Sequence, residues 1–186
     1  MKKNYRILIY RIGNLGDIIC SLPAMMAVRR NFPHAWIGLL TNNGEDGCDD
    51  AQAILADNEF LDAIMSYSSG KIRQGRYILH LARDLRRLNI DLLIYFGHSK
   101  NTRRRLLRDW LFFRLVVGGK LLGFRLTQPV RMQVKDGLKF PVYPQEVDRL
   151  LSLLTPEVKV HEVDFCLPIR DQHRKAVDAI WDRYNL

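Results

Sequence analysis

The sequence predicts a doubly wound α/β domain, a mostly parallel sheet covered by helices on both faces. Three observations predict it. Short β-rich apolar runs recur along the chain, helical apolar patterns separate them, and the first run ends in a glycine turn that opens into a helix. Strands that alternate with helices are joined by crossovers, which bring the strands side by side in parallel.

The elements follow in order. Residues 5–11, Tyr-Arg-Ile-Leu-Ile-Tyr-Arg, read as a short buried strand. Ile18, Ile19, Leu22, Met25, Met26 and Ala27 recur at helical spacing, and Phe32-Pro33 closes that helix. Pro23 lies inside it, removes a backbone donor, and is expected to kink or restart it. A second strand is expected over 35–41, a polar helix near 49–57, a strand around 60–66, a long basic helix over 72–88, an apolar strand at 91–96 and a helix over 103–117. After Lys120-Leu-Leu-Gly-Phe comes a loop rich in turn residues, then a helix near 144–154 and a last amphipathic helix from about 171.

Length and composition bound the rest. A chain of 186 residues, 47% hydrophobic and 26% charged, is of single-domain size and fits an ordinary globular fold, not a disordered or collagenous one. Cys20, Cys48 and Cys166 are odd in number and lack Cys-x-x-Cys spacing, so neither a disulfide framework nor a zinc site is indicated. No apolar run reaches the roughly 20 residues of a membrane-spanning helix, and Arg6 and Arg11 interrupt the only stretch that imitates a signal peptide, so the chain is expected to be cytoplasmic. The net charge of +9 is concentrated. Residues 71–139 hold 17 Lys/Arg against 4 Asp/Glu, whereas acidic residues outnumber basic ones on either side. Such a patch calls for an anionic partner: nucleic acid, lipid headgroup or acidic sugar.

In an open parallel sheet the ligand crevice lies beyond the carboxyl ends of the strands, so the first loop is the first place to seek chemistry. It reads Arg11-Ile-Gly-Asn-Leu-Gly-Asp17. Gly13 and Gly16 permit a tight turn and a close backbone approach, and the helix start points free N–H groups into the crevice. The spacing is not G-x-G-x-x-G and there is no P-loop lysine, which argues against a dinucleotide or triphosphate site. Asp17 has two readings. It can cap the helix by accepting its first N–H groups, or it can be a base facing the crevice.

The stretch from Ile7 to Pro33, Ile-Leu-Ile-Tyr-Arg-Ile-Gly-Asn-Leu-Gly-Asp-Ile-Ile-Cys-Ser-Leu-Pro-Ala-Met-Met-Ala-Val-Arg-Arg-Asn-Phe-Pro, resembles the N-terminus of glycosyltransferase family 9, the lipopolysaccharide heptosyltransferases. The shared pattern is an apolar strand, a glycine-Asp turn, a Leu-Pro-Ala helix, an arginine-containing helix end and Phe-Pro. The likeness continues more loosely through Ile90-Asp-Leu-Leu-Ile-Tyr-Phe-Gly-His98 and Gly123-Phe124.

The resemblance implies a GT-B enzyme with two Rossmann-like domains facing a cleft, this chain being the acceptor-side half. Residues 1–168 would form that domain and 169–186 would begin the interdomain helix. Asp17 matches the family's catalytic aspartate. It would take the proton of an acceptor hydroxyl as that oxygen attacks the anomeric carbon of a nucleotide-sugar donor such as ADP-heptose, with inversion. Arg11, Gly13, Asn14 and Gly16 of the glycine turn, with His98, Ser99, Lys100 and Arg103 beyond the strand at 91–96, are the candidate substrate-binding residues. The acceptor implied is lipid A with its acidic core sugars, and the place implied is the inner face of the inner membrane. No cofactor or metal is expected, since GT-B enzymes generally neutralise the leaving diphosphate with protein groups. The donor half lies outside this sequence, and the 186-residue chain alone is expected to lack turnover.

Other readings stay open. The segment from Ser99 to Val117 can form a helix with Arg104, Arg105, Arg108 and Arg114 toward water and Leu107, Trp110, Leu111 and Phe113 toward an anionic bilayer; alternatively Leu107, Leu111 and Leu115 pack on the sheet and the arginines are merely solvated. A nucleic-acid-binding module lacks any supporting motif, and no nucleic acid is expected as partner. A non-catalytic sugar- or partner-binding domain is the remaining alternative. The five histidines, His34, His80, His98, His161 and His173, show no metal-ligand spacing. Ser21 and Cys20 lack the surroundings of a nucleophile.

Overall fold

The computed structural model describes residues 5–43, 51–55, 58–135, 137–160, 163, 165 and 171–184. Five strands form one sheet: β1 (Arg6–Arg11), β2 (Trp36–Asn43), β3 (Ala63–Ser68), β4 (Leu92–Phe96) and β5 (Lys120–Leu122). Their spatial order is β3-β2-β1-β4-β5, and every pairing is parallel. The chain winds outward from β1 to β3, then returns to the other side of β1 with β4. The order therefore reverses at the β1–β4 pair, where Arg11 stands in register with Phe96.

The period-two geometry of a strand sends alternate side chains to opposite faces, and here both faces are buried. Ile7 and Ile9 of β1 join Leu92, Ile94 and Phe96 of β4 in one core; Leu8 and Tyr10 join Leu93 and Tyr95 in the other. This explains why β1 and β4 read as continuous apolar runs. Each fully buried Leu or Ile contributes about 1.5–3 kcal/mol. The first core is closed by helix α1 (Leu15–Asn31), the short α2 (Ala51–Leu55) and α5 (Glu146–Leu154); the second by α3 (Gly75–Arg87) and α4 (Arg103–Val116). The fold is doubly wound, as the alternation predicts.

Helix α1 runs without interruption through Pro23, so the alternative of a restarted helix is not realised. Ile18 and Leu22 before the proline and Met25 and Val28 after it are all buried against the same sheet face, and that packing offsets one lost backbone bond. At its far end Arg29 fastens α1 to the sheet, donating to the Ala35 carbonyl at 2.7 Å, the Phe60 carbonyl at 3.2 Å and Asp62 Oδ2 at 2.6 Å. Asp62 Oδ2 also accepts the Ile37 N–H at 2.6 Å.

Other boundaries shift for local reasons. The third strand begins at Ala63 because Asn58 closes a turn, its side-chain oxygen accepting the N–H groups of Phe60 and Leu61. The long basic helix is divided into a 3-10 turn, Gly70–Arg73, and α3, with Gln74 extended between them. The loop expected after residue 124 contains an antiparallel hairpin, β6 (Arg131–Lys135) and β7 (Leu138–Val142), turned by Gly137 at φ 76°. The last helix is α6 (Asp171–Tyr184). Residues 49, 50, 56 and 57 of the expected polar helix, Cys48, His161, Cys166, the His173 side chain and the boundary at 168/169 lie outside the described residues.

On α4 the two alternatives for the leucines separate. Leu107, Leu111 and Leu115 point outward, 51–65% exposed, while Phe113 and Val116 are buried against the sheet. Packing of these three leucines on the sheet is thus ruled out, and Phe113 belongs to the interior instead of an external apolar phase.

Because Arg29 serves three segments at once, Arg29→Ala is expected to lower unfolding stability by about 2 kcal/mol, and Arg29→Lys to recover less than half of it, lacking the planar fork. Urea midpoints of the three proteins check this.

Candidate functional site

The loops after β1 and β4 leave the sheet side by side at the strand-order reversal, the position at which open α/β sheets bind ligands. Asn14 is the N-cap of α1 in an extended conformation, and Asp17 is the third helical residue. Asp17 therefore caps by reaching backward: its Oδ2 accepts the Asn14 N–H at 3.0 Å. Its Oδ1 accepts from Arg11 Nη2 at 3.0 Å. Only one oxygen is engaged by a main-chain amide, and the side chain remains 29% exposed. A carboxylate oxygen has two lone-pair sites, so each retains acceptor capacity toward the crevice.

Glycine is required at one of the two turn positions. Gly13 has φ 142°, and a Cβ there would stand 2.3 Å from Asp17 Oδ2, so any side chain would push the carboxylate aside. The Gly13 N–H is held by Asn42 Oδ1 of β2 at 2.9 Å. Around Gly16 a Cβ would meet nothing within 4 Å, so this position is open space beside Asp17.

Arg11, expected at the crevice surface, is buried beneath the loop, 0% exposed. Its Nε and Nη2 donate to the Asp17 carbonyl at 3.2 and 3.1 Å, Nη1 to the Phe96 carbonyl at 3.2 Å, and Nη2 also to Glu146 Oε1 at 2.9 Å. Glu146, at the start of α5, binds Arg149 as well: Oε2 accepts from Nε at 2.8 Å and Oε1 from Nη2 at 2.7 Å. Arg149 Nη2 continues to the Gly97 carbonyl at 2.7 Å. Two arginines and two carboxylates thus form a charge-balanced cluster joining β1, α1, β4 and α5. Burial works to raise the Glu146 carboxyl, but the hydrogen bonds and charge of Arg149, then of Arg11, hold it below the ordinary glutamate value. Burial draws the Arg11 guanidinium below its usual value against the pull of Glu146 and Asp17, and it remains a cation.

Glu146 and Arg149 were not among the residues expected from sequence. A signal existed: both share an i, i+3 face with Leu150 and Leu153, so two charged groups sit in a stripe that must be buried.

Of the second loop, His98, Lys100 and Arg103 are exposed and Ser99 is half-buried. The structure therefore brings Gly13, Asn14, Gly16 and Asp17 to the same sheet edge as His98, Ser99 and Lys100, with Arg103 opening α4. Next to them, on the α3/α4 side, Tyr10, Ile12, Leu40, Tyr67, Phe112 and Phe113 wall a cavity of about 530 Å³. The Tyr10 and Tyr67 hydroxyls share a 3.0 Å hydrogen bond, and burial raises both phenols, which stay neutral. Ser69, Arg73, Arg108 and Asp109 line it as well, so walls suited to a ring or alkyl surface adjoin two guanidinium groups. Among the described residues no three His, Cys, Asp or Glu side chains converge as metal ligands.

No protein-family model matches the chain, and no curated protein matches it in sequence. Solved structures do. A glycosyl transferase of family 9 from Veillonella parvula DSM 2008 aligns with 98% of this chain and 50% of its own, with TM-score 0.63 and 16% identity. E. coli heptosyltransferase WaaC with ADP-2-deoxy-2-fluoro heptose aligns over 87% of this chain and 52% of its own, with TM-score 0.57 and 15% identity. The same enzyme with ADP gives TM-score 0.53 and 14% identity over 86% and 51%. The chain spans about half the length of each. What is common at this identity is the fold, a Rossmann-like sheet with flanking helices.

The charge cluster makes a measurable demand. Glu146→Ala leaves two buried arginines facing one carboxylate and is expected to cost about 3 kcal/mol. The Glu146 carboxyl is depressed in the folded state, so its contribution is complete above the unfolded value of about 4.3 and is lost as pH falls through the folded value. The stability gap between the parent and Glu146→Gln is therefore expected to be widest at neutral pH and to close in acid. Parallel denaturation curves down to about pH 3 would refute the assignment.

Proposed function

We propose that the chain is the acceptor-binding half of an inverting glycosyltransferase of the heptosyltransferase type, with Asp17 as general base. The observation that carries this reading is the Asp17 carboxylate, fixed by Arg11 and the Asn14 N–H yet open to solvent where two loops meet beyond the carboxyl edge of the sheet. The likeness to a family 9 glycosyltransferase and to WaaC supports it, as does WaaC's binding of an ADP-heptose analogue.

In the proposed reaction Asp17 removes the hydroxyl proton of the acceptor while that oxygen forms a bond to the anomeric carbon from the face opposite the leaving group. The bond to the nucleotide diphosphate breaks, the diphosphate departs with the electron pair, and configuration inverts. Positioning is the chain's first contribution, since a base must lie within hydrogen-bond reach of the proton it takes. Arg11 acts as a positioning residue from below the loop. Gly13 leaves room for the carboxylate, Asn14 caps α1, and Gly16 leaves the approach to it open. His98, Ser99, Lys100 and Arg103 are assigned to the acceptor, whose acidic core sugars suit the Lys100 and Arg103 cations. The donor is a nucleotide sugar such as ADP-heptose, the acceptor a lipopolysaccharide core, and the place of reaction the cytoplasm, with no metal or other cofactor assigned.

Asp17→Asn is the direct test. Asparagine keeps one acceptor oxygen for the cap or for Arg11, so the melting temperature is expected to fall by a few degrees at most, roughly what a kcal/mol costs. Assayed together with the donor-binding half, on a nucleotide-sugar donor and a core-sugar acceptor, kcat is expected to drop by roughly 10²–10⁴ with acceptor KM little changed. A variant turning over within about threefold of the parent removes Asp17 from the chemistry.

A further inference from the structure

We infer that the outward layer formed by α3, the 3-10 turn before it and α4 is a surface for an anionic lipid bilayer, with α4 lying along the membrane plane. This rests on α4 itself and not on the transferase reading. Leu107, Leu111 and Leu115 are four residues apart and so form one stripe, and they are 65%, 51% and 63% exposed. Trp110, beside that stripe, is 40% exposed. On the neighbouring α3, in the same layer over the same sheet face, Leu79 is 70% exposed. Arg86 Nη2 of α3 donates to the Leu115 carbonyl at 2.9 Å, which ties the two helices together at the end of the stripe.

Charge selects the occupant. Residues 70–87 and 103–116 carry eleven Lys/Arg and two Asp/Glu, and all eleven basic residues are exposed. Arginines and leucines alternate on one outward surface: Arg103, Arg104 and Arg114 lie within a turn of Leu107 or Leu111. Long cationic side chains that reach headgroup phosphates while leucines and a tryptophan enter the acyl boundary are what an interfacial helix requires. A second copy of the chain would set this charge against itself across a self-complementary interface. A polynucleotide would use the arginines but leave the leucine stripe uncovered. Among the described residues no helix is long and apolar enough to cross a membrane, so the contact is one of lying on, not spanning.

The test is co-sedimentation of the full chain with vesicles of phosphatidylcholine alone or with about 30% phosphatidylglycerol, at roughly 0.1 M salt. The chain is expected on the anionic vesicles and not on the neutral ones. Leu107→Ser, Leu111→Ser and Leu115→Ser combined are expected to weaken partitioning about tenfold or more at unchanged helicity, since these side chains support no core. With Trp36 and Trp181 replaced by phenylalanine, Trp110 emission is expected to shift to the blue on binding and to be quenched by brominated lipid. Equal partitioning of the parent and triple-serine proteins overturns the proposal, as does capture by a single-stranded oligonucleotide that matches vesicle binding and is indifferent to the leucines. Concentration-dependent self-association abolished by the serine substitutions overturns it in favour of an interface between copies.

Discussion

A guanidinium buried at the end of a β-strand has to be surrounded, and most of the candidate site follows from how Arg11 is surrounded. Taken out of water without partners, such a charge costs several kcal/mol. Here two carboxylates and two backbone carbonyls meet it. Those acceptors come from α1, β4 and α5, so the neutralisation of one side chain fixes the relative positions of the β1 loop, the β4 loop and a helix 135 residues further along. Helix α5 does not reach this place by charge alone. Leu150, Leu151, Leu153 and Leu154 are buried in the same core as α1, so apolar packing and the ion cluster hold α5 at the same place. An ion cluster of this kind adds little net stability compared with apolar replacements of similar volume, while removal of a single member is expensive. Its value lies in geometry: Arg11 grips both the carbonyl and the side chain of Asp17, so the carboxylate does not swing.

The glycine turn completes that constraint from above. Gly13 is the residue whose missing Cβ leaves room for Asp17 Oδ2, and its N–H is anchored on Asn42 of the neighbouring strand. Gly16 answers a different need, since nothing of the protein stands where its side chain would be. One glycine lets the carboxylate in and the other leaves it accessible.

What the sequence discloses and what it conceals divide along physical lines. Strands β1, β2 and β4 were legible because burial on both faces removes the alternation that would confuse them with amphipathic segments, and their parallel pairing followed from the crossovers; their spatial order did not. The Asp17 loop was legible because a strand, a glycine turn and a helix start are all local. Arg11 was assigned to the crevice because it flanks the glycine turn; its burial depends in part on acceptors from Phe96 and Glu146, far along the chain, which the local sequence does not disclose. Glu146 and Arg149 look like an ordinary i, i+3 surface pair until the helix face they share with buried leucines is weighed. The exposed hairpin of β6 and β7 left no core pattern to read, although Met132, Val134, Leu138 and Phe140 alternate with polar residues. The β3 boundary slipped because Phe60 and Leu61 are buried by a turn and not by a strand.

The two sides of the sheet also carry unequal burdens, and their arrangement relates the proposed membrane surface to the site. Helices in a doubly wound fold run roughly along the strands they cover. With α4 flat on a bilayer, the strands lie nearly parallel to it, and the carboxyl edge with Asp17 opens sideways along the surface instead of away from it. A helix is about 10–12 Å across with its side chains, and the sheet is stacked on it, so the Asp17 loop stands on the order of 15 Å above the headgroups. On the proposed reading, that height would set the carboxylate against sugars borne on a lipid and not against the lipid itself. The leucine stripe and the aspartate would then be two ends of one measure: the stripe fixes how deep the chain sits, and the rigid cluster under Asp17 converts that depth into the choice of which hydroxyl comes within reach.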